Sequence, residues 1–96
     1  MELEQVLKDK REEIIRVAAK HGARNVRVFG SVARGDADEQ SDIDLVVEFD
    51  ADRSLLDHAA LWLELQQLLG HKVDVVSERG IKPRIRERVL REAVPL

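Results

Sequence analysis

The chain has no cysteine and no tyrosine, only two prolines, and three aromatic residues (one Trp, two Phe) among its 96 residues. Without cysteine there is no disulfide scaffold, no thiol nucleophile and no Cys-ligated zinc or iron–sulfur site. So few aromatics leave no stacking platform for single-stranded nucleic acid. Positive charge is also short. Lys plus Arg is 16 against 19 Asp plus Glu, a net charge of −3, which argues against a protein held to nucleic acid by bulk charge. Apolar runs are a few residues long, too short to cross a bilayer. The opening Met-Glu-Leu-Glu-Gln is acidic, lacks an apolar core and does not read as a signal peptide. A cytoplasmic protein is expected, with no membrane contact and no direct contact with nucleic acid.

Apolar residues make up 44% and charged residues 36%, the balance of a globular chain. The length predicts a single domain over residues 1–96. Such a domain buries little more than ~60% of its unfolded surface, so its stability margin is thin. No repeat, low-complexity tract or linker interrupts it.

Apolar residues at Leu3, Val6, Leu7, Ile14, Val17 and Ala18 predict a one-sided helix over residues 2–21, stopped by Gly22. Residues 25–29 alternate as a short strand ending at Gly30. A polar stretch, 34–41, leads to a second strand over 43–49, where Ile43, Leu45, Val47 and Phe49 share a face. Ser54 followed by Asp57 resembles a capping box, and opens an apolar-rich helix over 55–69 that stops at Gly70 and is expected to be the main core helix. A third strand is predicted over 72–76. Pro83 suits a first helical turn, and Ile85, Val89 and Ala93 predict a last helix ending before Pro95. The order helix, strand, short helix, strand, helix, strand, helix implies an α+β protein with a small mixed sheet packed against helices.

The acidic residues are bunched. Eight of the 19 lie in residues 36–52, and no Lys, Arg or His falls between Arg34 and Arg53. Asp42 and Asp44 stand two residues apart at the mouth of the second strand, hence on one face, about 6.6 Å apart along it. A lone Asp-Ile-Asp is readily explained as a turn cap followed by an exposed strand position. Asp74 is harder to explain so, because Asp is disfavoured in strands and this one sits among valines. Three carboxylates sharing a sheet face repel one another unless cations or protons neutralise them. Oxygen donors without His or Cys suit Mg²⁺ or Mn²⁺, and two such ions about 3.5–4 Å apart serve phosphoryl or nucleotidyl transfer.

Phe29-Gly30-Ser31-Val32-Ala33-Arg34-Gly35 reads as a strand end, a Gly-Ser turn and a short helical start. Glycine admits close backbone approach, and the following N–H groups attract phosphate oxygens. The segment is not a P-loop, because Asp36-Ala37 stands where Lys-Ser/Thr belongs, and it lacks the middle glycine of a dinucleotide fingerprint. Taken alone it is an ordinary turn. Arg34, one helical turn after Ser31, is placed for phosphate or for a salt bridge to the acidic loop. Ser41 reads as a cap or hydrogen-bonding partner of the Asp42 turn. His21, His58 and His71 lack ligand spacing, and solvent or helix-end roles are expected for them. Trp62 is expected in the core or an interface, and the basic tail from Lys82 to Arg91 as a solvated face.

Together, Gly30-Ser31, ten residues, then Asp42-Ile43-Asp44 form the pattern Gly-Ser-x10-Asp-x-Asp. With it the chain resembles the minimal nucleotidyltransferases (MNT) of the DNA polymerase β-like superfamily. The segments that carry the likeness are Gly30–Asp36, Ser41–Leu45 and Lys72-Val73-Asp74-Val75. The resemblance implies that Gly30 and Ser31 hold the β- and γ-phosphates of a nucleoside triphosphate, and that Asp42 and Asp44 bind two Mg²⁺ ions. It implies that Asp74 serves the metal that activates the attacking hydroxyl and takes up its proton. It further implies an antitoxin that transfers AMP from ATP to a tyrosine of a HEPN-domain toxin. Two rivals stand beside that expectation: a non-catalytic antitoxin that masks its partner, and a transferase for a small molecule. Relatives of the second kind carry an extra acceptor domain for which 96 residues leave no room. Self-association or a heteromer is expected from apolar surface on helix 55–69.

Overall fold

The structure, a computed structural model, describes residues 3–96. Glu2, which the periodicity assigns to the first helix, lies outside the described residues. That helix is two. Helix α1 spans Leu3–Asp9 and α2 spans Arg11–Lys20, with Lys10 (φ −108°, ψ 14°) between them. The run 8–13 is charged throughout, and no side chain between Leu7 and Ile14 is buried, so packing does not hold the axis straight there.

Strand β1 (Ala23–Phe29) starts two residues earlier than the alternation suggested. Its register against the next strand slips between Arg24 and Arg27, and Asn25 takes φ 52° there. Asn tolerates that left-handed conformation better than other side chains, and the slip forms a bulge. Helix α3 (Gly30–Arg34) follows directly, then β2 (Ile43–Phe49), α4 (Leu55–Leu69), β3 (Val73–Ser77), a 3₁₀ turn over Glu78–Gly80 and α5 (Pro83–Glu92). A two-residue strand β4 (Val94–Pro95), absent from the sequence reading, closes the chain. Proline is admissible there because β4 is an edge strand.

The sheet order is β3-β2-β1-β4, with β2 and β3 parallel and the other pairs antiparallel. This is the expected α+β arrangement with a mixed sheet. Alternation along the strands gives the sheet two unlike faces. On one, Val28, Ile43, Leu45, Val47, Val73 and Val75 pack against Leu7, Ile14, Ala18, Leu61 and Leu65 of the helices. On the other, a smaller cluster joins Val46 to Ile81 and Val89. Helix α4 buries Leu61, Leu65 and Leu69 but leaves Leu55 (84%) and Leu56 (82%) exposed, so it is a core helix along one stripe only. Among the described residues no helix is long and apolar enough to cross a membrane.

Candidate active site

Because β2 and β3 are parallel and in register, Asp44 lies directly opposite Asp74, and across the other edge of β2 Asp44 faces Phe29. One row of the smaller-core face therefore runs Phe29, Asp44, Asp74 across three strands. The next row on that face holds Val46 and Val76, which α5 covers through Val89. The carboxylate row lies beyond this cover, leaving Asp44 half-buried and Asp74 exposed.

Asp42 ends the loop that enters β2. Two contacts fix its neighbours. His71 Nε2 donates to the Ser41 carbonyl at 2.5 Å, and the Ile43 N–H donates to the Lys72 carbonyl at 3.0 Å. His71 thus clamps the residue before Asp42, a role that ligand spacing does not reveal. Ser41 does not brace the Asp42 turn as expected. Its hydroxyl turns back to Asp38, accepting that residue's N–H at 3.0 Å and meeting its carboxylate at 3.2 Å, because the loop 38–41 closes on itself. His58 is a further correction: it serves no helix end but donates from Nε2 to the Val75 carbonyl at 2.6 Å.

Gly30 turns the chain from β1 into α3 with φ +74°, and a Cβ there would collide with the Asp44 carboxylate. Glycine is required both by the backbone and by the acid it faces. Ser31, next to it, is half-buried, and Arg34 is exposed. Arg34 makes the anticipated bridge to the acidic loop, Nε to Asp36 at 3.3 Å, and a second to Glu92, Nη1 to Oε1 at 2.6 Å. Its two acidic partners, Asp36 first, hold the guanidinium more firmly charged than usual. Glu92 Oε1 also accepts the Gly30 N–H at 3.1 Å. Nothing in the charge pattern of the tail singles out Glu92; only the fold brings α5 across to α3.

Asp44 feels the whole arrangement. Its carboxyl is pushed up to about 6, by burial first and then by the charges of Asp74 and Asp42, with Glu92 adding to the rise and Arg34 opposing it. A carboxyl so raised is one withdrawn from water and set among like charges that Arg34 only partly offsets. Among the described residues no three acidic, His or Cys side chains are already drawn tightly enough to hold an ion. The donor set is nevertheless one a hard cation suits: oxygen only, on one open face, beside a turn that a Cβ would block.

The profile of the nucleotidyltransferase domain family matches residues 4–96. The chain belongs to that family. It is an enzyme of the nucleotidyltransferase kind, and its relatives bear this out. It is 44% identical over 84 residues to a Methanocaldococcus jannaschii protein, MJ0435, provisionally named a protein adenylyltransferase; the match covers 88% of this chain and 90% of that one. It is 40% identical over 93 residues to the protein adenylyltransferase MntA of Thermococcus cleftensis, covering 97% and 91% of the two chains. A solved structure provisionally named a minimal nucleotidyltransferase superposes with a TM-score of 0.88 at 59% identity, over 97% of this chain and 95% of that one. A toxin–antitoxin crystal structure with AMP-PNP shares the fold at 22% identity, with a TM-score of 0.76 over 88% and 69% of the chains.

Proposed function

We propose that this nucleotidyltransferase transfers AMP from ATP to a hydroxyl, a tyrosine, of a HEPN-domain toxin, and so acts as its antitoxin. The observation that carries the reading is the row of carboxylates, Asp44 opposite Asp74 with Asp42 two residues before, beside the Gly30-Ser31 turn. The names of the relatives support the acceptor class: MntA of Thermococcus cleftensis is a protein adenylyltransferase, and the shared-fold structure with AMP-PNP is a toxin–antitoxin pair.

In this reading Gly30 offers its N–H, Ser31 its hydroxyl and Arg34 its guanidinium to the β- and γ-phosphates. Asp42, Asp44 and Asp74 would hold two Mg²⁺ ions, which when bound would neutralise the triphosphate and sharpen the electrophilicity of the α-phosphorus. Asp74 is the most accessible of the three and takes the proton of the acceptor hydroxyl. The hydroxyl oxygen forms its bond to the α-phosphorus as the bond to the bridging oxygen breaks and pyrophosphate departs. His71 keeps Asp42 in place by fixing the Ser41 carbonyl.

The test is transfer of label from α-³²P-ATP, with Mg²⁺, to the unmodified protein encoded by the adjacent reading frame. Label on a tyrosine, lost in an Asp42→Asn, Asp44→Asn double variant, is the expected result. A double variant that still neutralises the toxin in cells, with no label on it, would replace catalysis by masking.

A further inference from the structure

Two effects disfavour Glu92 where it stands. It is the last residue of α5, where a carboxylate faces the negative end of the helix dipole. Its charge also acts unfavourably on Asp44 within a neighbourhood already crowded with acids. It is held there by two donors, the Gly30 N–H at 3.1 Å and Arg34 Nη1 at 2.6 Å, both reaching the same oxygen, Oε1. A backbone N–H at a glycine turn and a guanidinium beside it are the donors that a phosphate oxygen seeks. One carboxylate oxygen and one phosphate oxygen cannot occupy them together.

We infer that Glu92 is a built-in competitor for the nucleotide: its carboxylate holds Gly30 and Arg34 until a phosphate displaces it. The inference rests on the reading of the Gly30–Arg34 turn as the triphosphate holder. Displacement has a structural consequence. Glu92 is followed by Ala93 and then β4, which pairs with β1 at Arg27 with Pro95 and Val28 with Val94; beyond it the Leu96 N–H donates to the Val26 carbonyl at 3.3 Å and Arg11 Nε donates to the Leu96 carbonyl at 2.8 Å. Release of Glu92 therefore loosens the end of α5 and the start of the edge strand attached to it, while the bonds at Leu96 still hold the far end. In the free protein the latch shields the donors from other anions and ties the C-terminal segment to α3. In the loaded protein the tie is gone, and Ala93 and Val94 sample more open states.

The test compares the unmodified chain with Glu92→Gln, using Mg·AMP-PNP as the probe and calorimetry as the readout. Gln keeps the size and an acceptor oxygen but removes the charge, and charge-assisted bonds are about twice as strong as neutral ones. Binding to E92Q is expected to tighten on the order of tenfold, about 1.4 kcal/mol. In the unmodified chain, amide hydrogen exchange at Ala93 and Val94 is expected to quicken when Mg·AMP-PNP binds. That second measurement decides the matter should E92Q fold poorly. A Glu92 that merely tethers α5 gives equal or weaker binding in E92Q, and unchanged or slower exchange in the bound unmodified chain. Either result overturns the latch while measured binding by the unmodified chain keeps the triphosphate reading intact. Absence of binding by both proteins overturns that reading, and the latch with it.

Discussion

Asp44 is the residue on which the proposed chemistry and the stability of the fold pull in opposite directions. Its carboxyl titrates near 6 in the folded chain, against an ordinary value of 3.8. Between those values the folded state binds more protons than the unfolded state, so stability falls as pH rises through that window. In thermal melts without divalent ions, the stability of Asp44→Asn relative to the unmodified chain is expected to improve from pH 4 to pH 7. A difference that stays flat would show that the charge at this position is no burden. On the proposed function, in which Asp44 helps to hold the metal ions against the phosphates, the same substitution is expected to cost about a hundredfold or more in transfer rate, measured by label incorporation. The two readouts move apart, which separates loss of function from loss of fold.

At the scale of elements, much was legible because the signals are local. Ser54 accepts the Leu56 N–H while the Asp57 carboxylate accepts the Ser54 N–H, the reciprocal cap that the spacing announced. Ser54→Ala is expected to lower stability by about 1 kcal/mol in urea titration, the ordinary value of such a cap. Gly70 and Pro83 likewise mark the helix ends they should. What was not legible depends on partners far along the chain. The break at Lys10, the bulge at Asn25 and strand β4 answer to packing and pairing, not to propensity. The acids could be assigned to faces by the two-residue period, but that Asp44 meets Asp74 directly follows from the register of two strands separated by α4. Glu92 and His71 escaped for the same reason.

Helix α4 shows a second long-range device. His58, Trp62 and Gln66, four residues apart, form one stripe that meets the free edge of β3: His58 donates to the Val75 carbonyl at 2.6 Å, Trp62 to the Val73 carbonyl at 2.6 Å, and Gln66 accepts the Val73 N–H at 3.3 Å. An open edge invites pairing with another chain, and this stripe covers it. Trp62→Phe is expected to reduce stability by roughly 1 kcal/mol, by removing one hydrogen bond of ordinary worth. It is also expected to raise the tendency to aggregate at high concentration, as read by light scattering.

For the molecule as a whole, a small core makes bound ligands count. A nucleotide that binds only the folded chain, at a hundred times its dissociation constant, adds about 2.7 kcal/mol. In a domain of this size that corresponds to roughly 10–20 °C in melting temperature. Mg·ATP is expected to give a rise of that order and Mg²⁺ alone a smaller one, read by calorimetric scanning. An unmoved transition at millimolar nucleotide would count against triphosphate binding.

Strand β2 carries Ile43, Leu45 and Val47 into the larger core, and on its other face sets the half-buried Asp44 and Glu48 on either side of the buried Val46. Sliding that strand by a single position would drive both carboxylates into the larger core and turn its aliphatic side chains onto the half-covered face. The acids of β2 therefore also help to police its assembly: a chain that misthreads this strand buries charge and condemns itself.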